Sequence, residues 1–268
     1  MVKRRLIPVL FLKDGWMVRS ENFKTHQFIG SPVLHVERMV QWEVDELIVL
    51  NISDSNIEKF QHDRNDYRDH HISDLYSFIS RIAVECRIPL TFGGKLRNFE
   101  QVKSVLLCGA DKVALNTLLF ESSEIVTECI RAFGSQAIIG SVDYKIIDGK
   151  PIVFSGFGKF NTNISLFDWL RSIEDLGVGE ILLNSIDRDG KALGYDITTI
   201  SKASDMLAVP LIACGGAGLQ KHFLQCFQET NASAIAAGNI FHFTENAYPR
   251  AKDYLSKFNV NVRRRFLQ

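Results

Sequence analysis

Short apolar runs rich in β-branched residues recur along the whole chain. Each run is shorter than a typical buried helix and has no polar face, which is typical of strands in a parallel sheet covered on both sides. The predicted strands are LIPVLFL from Leu6, ELIVLNI from Glu46, IPLTF from Ile88, KVALN from Lys112, AIIGSVD from Ala137, EILLNSI from Glu180, VPLIAC from Val209 and SAIAAG from Ser233.

Most of the segments between these runs have the apolar spacing of an amphipathic helix. The clearest examples are residues 33–42, 75–86, 99–107 and 167–176. Strands that alternate with helices predict βα units and a parallel sheet. Eight such units predict the fold class α/β and, within it, a closed (βα)8 TIM barrel.

An internal repeat supports a single barrel over two separate domains. The two halves align as two (βα)4 units, and no linker rich in Pro, Gly or Ser divides them. We therefore predict one domain over residues 1–268. The aligned segments are IPLTFGG with VPLIACGG, GADKVALNTL with NASAIAAGNI, DELIVLNIS with GEILLNSID, and LIPVLFLKDG with AIIGSVDYKIIDG.

Two segments that follow predicted strands depart from the repeat. Residues 53–73 form a longer, polar insertion, and residues 144–164 carry the turn pairs Asp148-Gly149 and Ser155-Gly156, which predict a small hairpin excursion. The histidines and aspartates of the 53–73 insertion fit no specific metal-ligand spacing, so we expect no metal site there.

Composition excludes several classes of protein. The chain has 31 basic and 31 acidic residues, which argues against a nucleic-acid binder. Lys13 and Asp14 interrupt the N-terminal apolar run, so neither a signal peptide nor a membrane span is predicted. The five scattered cysteines form no CxxC pair and indicate free thiols and a cytoplasmic protein.

Glycine pairs follow the third and seventh predicted strands, where backbone N–H groups of a barrel can approach an anion. Each pair is followed one strand later by a small polar stretch. These positions predict two phosphate cradles and a substrate phosphorylated at both ends, unless the glycines serve only tight turns. They are Gly93, Gly94, Asn116 and Thr117 in one half and Gly215, Gly216, Gly238 and Asn239 in the other.

Asp143 ends the fifth predicted strand, where a barrel enzyme places an acid or base. A cap or turn role is the alternative for this carboxylate. Its repeat partner is Phe11, so a mechanism with two carboxylates cannot be written for this mouth.

Charged residues begin four of the apolar strands. Arg5, Glu46, Lys112 and Glu180 share the parity of inward-facing positions farther along the barrel. Buried charges need partners, so we expect a ring of two positive and two negative groups, with solvated strand ends as the alternative.

Taken together, the motifs resemble the cyclase subunit of imidazole glycerol phosphate synthase, the HisF type, over nearly the whole chain. The most specific segment is SIDRDG, at residues 185–190. The motifs that carry the resemblance are IPVLFLKDG, DELIVLNI, TFGG, GADKVALNT, FGSQAIIGSVD, GEILLNSIDRDGKALGYD, ACGGAG, AAGNIFHF and FNVNVR.

The resemblance implies a HisH-like glutaminase on the N-terminal face of the barrel, contacted by Asp111. Ammonia released there crosses the barrel to a doubly phosphorylated nucleotide at the C-terminal mouth. The four charged residues match the family's gate to this tunnel. The resemblance implies no cofactor and no metal.

At the mouth this chain departs from the family pattern. Phe11 replaces one of two catalytic aspartates, and Asp143 matches the other. Arg19 corresponds to a substrate-holding lysine, Lys95 to a phosphate-binding glycine, Asn184 to an inward threonine and Gly238 to a serine. The matching phosphate-site positions are Asp189, Gly190, Gly216 and Ala237.

Three hypotheses about function stay open. The first is a HisF-like paralogue of the kind associated with acetamidino sugars, which delivers ammonia for amidination of a surface-polysaccharide precursor and works beside a separate sugar amidotransferase. The second is cyclase activity in histidine biosynthesis, a lyase reaction. The third is a non-catalytic scaffold between a glutaminase and a transferase, with the 53–73 insertion as a contact surface. Whether the chain is itself an enzyme depends on which hypothesis holds.

Overall fold

Eight parallel strands close into a barrel in the computed structural model, which describes residues 3–21, 23–53 and 74–263. Four further strands form antiparallel extensions at one end. In chain order the strands are β1 Arg5–Lys13, β2 Trp16–Glu21, β3 Thr25–Gly30, β4 Leu47–Asn51, β5 Leu90–Gly93, β6 Lys112–Leu115, β7 Ile138–Ile147, β8 Lys150–Ser155, β9 Phe160–Ser165, β10 Glu180–Ser185, β11 Leu211–Cys214 and β12 Ala234–Ala237.

Parallel pairing runs around the barrel in the order β1, β4, β5, β6, β7, β10, β11 and β12, and β12 returns to β1. The closing register pairs Arg5 with Ala234, and on the opposite side Asp143 lies beside Asn184. The predicted (βα)8 barrel is confirmed, and each of the eight predicted apolar runs overlaps one barrel strand.

Helices cover the outside of the barrel. Polar caps start several of them: the Asp74 side chain accepts a hydrogen bond from Ser77 N at 2.9 Å, and Asn98 accepts one from Gln101 N at 2.9 Å. The helices are α1 Pro32–Gln41, α2 Leu75–Glu85, α3 Phe99–Leu107, α4 Thr117–Glu121, α5 Ser123–Phe133, α6 Leu166–Leu176, α7 Ile197–Met206, α8 Gln220–Glu229 and α9 Ala247–Lys257.

Two antiparallel extensions rise from the C-terminal ends of β1 and β7. The turn at Asp14 and Gly15 and the turn at Asp148 and Gly149 each have two successive positive φ angles, which is the type I′ geometry of a two-residue hairpin. The first leads into β2 and β3, and the second leads into β8 and β9. The excursion predicted for residues 144–164 therefore consists of strands, whereas the hairpin after β1 was not predicted. The predicted insertion lies outside the described residues from position 54 onward.

Apolar side chains form two separate cores. One core lies between the barrel and its helices. The other fills the barrel interior because alternate residues of each strand point inward. The buried interior residues are Ile7, Val9, Phe11, Val18, Ile48, Ala114, Ile139, Leu182, Ile212, Cys214, Ala234 and Ala236.

A buried polar network ties the last helix to the N-terminal ends of the first two barrel strands. Lys252 Nζ lies 2.9 Å and 2.7 Å from the two carboxylate oxygens of Asp45. Leu6 N donates to Asp45 Oδ2 at 2.9 Å, and Tyr248 Oη donates to Leu6 O at 3.0 Å. The network fixes the backbone next to Arg5 and Glu46.

The five cysteines are free thiols, and three of them are buried. Throughout the described ranges, no helix combines the length and the apolar character needed to cross a bilayer.

Candidate functional site

The C-terminal ends of the barrel strands surround a cavity at the mouth. Its wall includes residues from both predicted halves of the barrel. They are Val9, Phe11, Leu50, Asn51, Gly94, Lys95, Leu96, Arg97, Ala114, Leu115, Asn116, Thr117, Ser141, Asp143, Leu182, Asn184 and Cys214, with Phe23, Ile52 and Phe157 from the loops and extensions.

Asp143 lies between two asparagine amides in this cavity. Asn116 Nδ2 donates to Asp143 Oδ2, and Asn184 Nδ2 donates to Asp143 Oδ1, each at 3.0 Å. The pKa of Asp143 is raised to about 6: burial is the main cause and the nearby charge of Asp189 adds to it, while the two amide hydrogen bonds partly oppose the rise. A carboxyl group with a pKa near 6 exchanges a proton close to neutral pH and suits acid–base chemistry.

The same two amides present unused acceptors. Within the described part of the chain, the buried oxygens Asn116 Oδ1 and Asn184 Oδ1 have no hydrogen-bond partner. Buried acceptors are costly to leave unpaired, so a ligand with N–H or O–H groups would be stabilised beside Asp143.

Phe11 occupies the opposite wall, because β1 is four strands from β7 around the barrel. Its side chain is 9% exposed and lies against Gly238. A Cβ atom at position 238 would be 3.2 Å from Phe11 Cε2 and 3.2 Å from the Val9 carbonyl oxygen. A side chain at residue 238 would therefore crowd the ring, which links the two departures at this wall.

A smaller cleft adjoins the other side of Phe11. Ser20 Oγ donates to Asp189 Oδ2 at 3.1 Å, and burial raises the pKa of Asp189 to about 6. The cleft is lined by Phe11, Asp189, Gly190, Cys214, Gly215, Gly216, Ala217, Ala237, Gly238 and Asn239, so the structure brings together the residues predicted for the second phosphate cradle.

The second glycine of each pair has the left-handed backbone that a close approach requires. Gly94 has φ +92°, and a Cβ there would lie 2.1 Å from the Asn51 carbonyl oxygen. Gly216 has φ +104°, and a Cβ there would lie 2.1 Å from the Gly194 carbonyl oxygen. Both positions exclude side chains for backbone reasons, which leaves their role in anion binding as a prediction.

Of the two basic residues predicted for the substrate site, Lys95 lines the Asp143 cavity and Arg19 does not. Lys95 lines the Asp143 cavity, with Nζ 5.0 Å from the centre of the Phe157 ring. Arg19 was predicted for the substrate site, but its guanidinium lies 5.4 Å from the centre of the Phe243 ring, and it is absent from the linings of the mouth cavities in the described residues. Alternation along β2 explains this, because Val18 packs in the barrel interior and Ser20 bonds to Asp189.

At the N-terminal ends of the strands, four charged side chains form a closed ring. Arg5 Nη1 is 2.7 Å from Glu46 Oε1 and 3.0 Å from Glu180 Oε1. Lys112 Nζ is 3.5 Å from Glu46 Oε2 and 3.4 Å from Glu180 Oε1. Burial alone would lower the pKa of Arg5, but attraction to Glu180 and Glu46 outweighs it and raises that pKa. We call these four residues the floor ring.

Asp111 lies beside the floor ring on the N-terminal face. Its side chain accepts a hydrogen bond from Leu90 N at 2.8 Å, and the residue is exposed. Between the floor ring and Asp143 the interior is lined mainly by apolar side chains, with the buried hydroxyl groups of Thr91 and Ser141 among them.

Several residues of the mouth were missed by the sequence analysis. Ser20, Phe23 and Phe157 come from the two extensions, and Cys214 comes from the seventh barrel strand. The Asp14-Gly15 pair followed by an alternating segment was a usable hairpin signal for the first extension. Among the described residues, no group of three or more His, Cys, Asp or Glu side chains could hold a metal ion.

Comparison with known proteins adds an independent finding. The family model described as histidine biosynthesis protein matches residues 5–247. Imidazole glycerol phosphate synthase subunit HisF of a Thermotoga species is 38% identical over 263 residues, 98% of each chain. The HisF subunit of Saccharolobus solfataricus is 39% identical over 263 residues, 98% of this chain and 100% of that one. A Pseudomonas aeruginosa protein named hisF2 is 36% identical over 244 residues, 91% and 92% of the two chains.

Proposed function

Since the chain belongs to the histidine biosynthesis protein family and is a HisF-like subunit, we propose that it receives ammonia from a HisH-like glutaminase and conducts it to the mouth. The floor ring carries this proposal. All four contacts that close it are present, although nothing in the barrel fold itself requires charges at these four strand ends.

The charge balance of the floor ring favours neutral ammonia over ammonium. The floor ring has two positive and two negative side chains, so its net charge is zero. A neutral molecule that passes it adds no charge that would need a partner. An ion entering the mainly apolar interior beyond the ring loses its hydration, which costs far more free energy than moving a neutral molecule. Ammonia in its neutral form therefore suits the route from Arg5 and Glu46 toward Asp143, and ammonium does not.

At the mouth, the two cradles suit a small molecule phosphorylated at both ends. One cradle contains Gly94 and Lys95, and the other contains Gly216 and Gly238. Asp143 lines the same cavity as Gly94 and Lys95, and its pKa of about 6 allows it to accept a proton from an attacking amine at neutral pH. The unpaired Asn116 and Asn184 oxygens beside it suit an incoming N–H donor.

We propose amidination of a surface-polysaccharide precursor as the purpose of this ammonia, with a separate amidotransferase activating the acceptor. The supporting observation is Phe11, an apolar ring where the family pattern has a second carboxylate. Gly238 has no side chain to crowd that ring, so the residues at positions 11 and 238 match each other at the wall of the mouth.

Cyclase activity in histidine biosynthesis is the second candidate. It is favoured by the identity of 38% to a HisF subunit over nearly the whole chain and by the position of Asp143. One assay separates the two: the purified barrel is mixed with the ribulosyl aminoimidazole carboxamide nucleotide and ammonium salt at high pH. Amidination predicts turnover at least about 10²-fold below that of an ordinary HisF subunit, because one acid–base group is missing. A turnover equal to that of an ordinary HisF subunit would establish cyclase activity instead.

A non-catalytic scaffold is the third candidate, and it predicts that neither cradle binds phosphate. Titration with inorganic phosphate, followed by the chemical shifts of the Gly94 and Gly216 amides, tests this. Shifts that saturate at both glycines would exclude a scaffold without a ligand of its own. The proposed contact surface at residues 53–73 lies outside the described residues from position 54 onward.

A further inference from the structure

A second cavity adjoins the Asp143 cavity and is used by neither phosphate cradle. It lies between the extension after β1 and the extension after β7. The two cavities share Phe11, Phe23, Ile52 and Phe157 as a common wall. The remaining lining residues are Lys13, Ser20, Lys24, His26, Lys145, Gly158, Lys159 and Ile186. We call this the basic cavity.

The charged side chains that line the basic cavity within the described part of the chain are all basic. Lys13, Lys24, Lys145 and Lys159 line it together with His26, and no aspartate or glutamate is among the described residues that line it. The chain as a whole has a formal net charge of zero, so this is a local concentration of positive charge. Such a cleft, walled by apolar rings, focuses an electric potential that attracts anions.

Part of the basic cavity is held in place by the fold. Lys145 Nζ donates to the Gly158 carbonyl oxygen at 3.4 Å, and the same ammonium lies 4.5 Å from the centre of the Phe154 ring. Gly158 has φ +71°, a turn conformation that brings its carbonyl toward Lys145. The ammonium is therefore directed before any ligand arrives, which reduces the entropy lost on binding.

The rings of the common wall indicate what the rest of the ligand is like. Phe23 and Phe157 are half-buried and face both cavities. An apolar face of a ligand that spans the two cavities would bury these rings, while its anionic end would meet the lysines. Phe11 adds a third ring at the point where the cavities meet.

We propose that the basic cavity is a third anion subsite, which holds a phosphate or diphosphate group of the small molecule bound at the mouth. The substrate then carries an anionic group beyond the two that the glycine cradles hold. This inference rests on the phosphorylated substrate of the proposed function, and it does not depend on which acceptor the ammonia reaches.

Inorganic pyrophosphate is the probe, because its two adjacent phosphates can contact several lysines at once. Its affinity for the full chain is measured by isothermal titration calorimetry at low and physiological salt. The test variants are Lys145→Met and Lys159→Met, which keep most of each apolar stem. Lys150→Met is the matched control, because Lys150 is exposed on the same extension and does not line the cavity. Lys95→Met reports on the neighbouring cradle.

The subsite predicts saturable pyrophosphate binding that weakens at higher salt. Lys145→Met should weaken it about tenfold, because a charge-assisted contact is lost, while Lys150→Met leaves it within about twofold. Circular dichroism checks that each variant is folded. No saturable binding to the unmodified chain would overturn the proposal. So would loss of binding in Lys95→Met together with unchanged binding in Lys145→Met and Lys159→Met. These binding measurements need neither a glutaminase nor an acceptor. Failure of the subsite can therefore be told apart from failure of the proposed function.

Discussion

Replacing Gly238 by serine should cost much more stability when Phe11 is present than when it is absent. A Cβ atom at position 238 would meet Phe11 Cε2 at 3.2 Å and the Val9 carbonyl oxygen at 3.2 Å. Carbon atoms pack without strain at about 3.5–4.0 Å. Overpacking of this kind costs about 1–3 kcal/mol. The contact with Val9 is present in either background, so it cancels in a double-mutant cycle.

The cycle consists of the unmodified chain, Gly238→Ser, Phe11→Asp and the double variant. Phe11→Asp alone should destabilise the barrel by about 3–5 kcal/mol, the range for removing a buried aromatic ring. We expect a coupling energy of about 1–2 kcal/mol, with the double variant more stable than the sum of the single effects predicts. The free energies of unfolding come from urea titrations followed by circular dichroism at pH 8.

Additivity within about 0.5 kcal/mol would refute the linkage, because uncoupled sites add to that precision. The same proteins test the lost carboxylate. Phe11→Asp should gain ammonia-dependent cyclase turnover. Phe11→Asn should not, because asparagine has nearly the size of aspartate but lacks its charge. Equal turnover in the two variants would show that a carboxylate at this position does not contribute.

The remaining predictions concern the scaffold and the mouth. Lys252→Met should lower the free energy of unfolding by about 3–5 kcal/mol in urea titrations, because it leaves a buried carboxylate without its cation; a loss below about 1 kcal/mol would contradict this. Gly94→Ala should be poorly folded because its Cβ would overlap backbone, whereas Gly149→Ala, with positive φ but open space around it, should cost only about 1–2 kcal/mol; equal melting temperatures would contradict the close-approach argument. The Asp143 carboxyl should titrate near pH 6 in carbon NMR, and Asp189→Asn should lower its pKa because a neighbouring negative charge is removed; an upward shift would be the wrong sign. Because the folded pKa lies above the ordinary value of 3.8, this group makes stability fall as pH rises from about 4 through 6.

The barrel could be predicted because its signal is repeated along the chain. Each apolar run marks one strand, and α3 begins and ends at the residues that its apolar spacing predicts. The floor ring followed from strand parity, since inward positions recur every second residue. The strands and their inward-facing positions can both be read from local sequence, without knowing which loops and extensions meet in the fold.

The mouth was less predictable because loops and extensions assemble it. The family resemblance implies Arg19 for the substrate site, and nothing in the sequence indicates that alternation within an unpredicted strand directs its guanidinium toward Phe243. The fit between Phe11 and Gly238 depends on an approach of two strands at the closing seam of the barrel, which no local pattern reveals. The basic cavity likewise requires two extensions that are more than a hundred residues apart in sequence.

The most direct test of the central claim is the rate of glutamine hydrolysis by a HisH-type glutaminase from the same organism, measured with and without this barrel. An ammonia-receiving subunit predicts that glutamine hydrolysis rises well above its basal rate when the barrel is present. Asp111→Lys on the N-terminal face should weaken the stimulation, and Asp148→Lys, on the hairpin at the opposite face, should leave it unchanged. Hydrolysis that stays at the basal rate at saturating barrel, with or without phosphate at the mouth, would contradict the account.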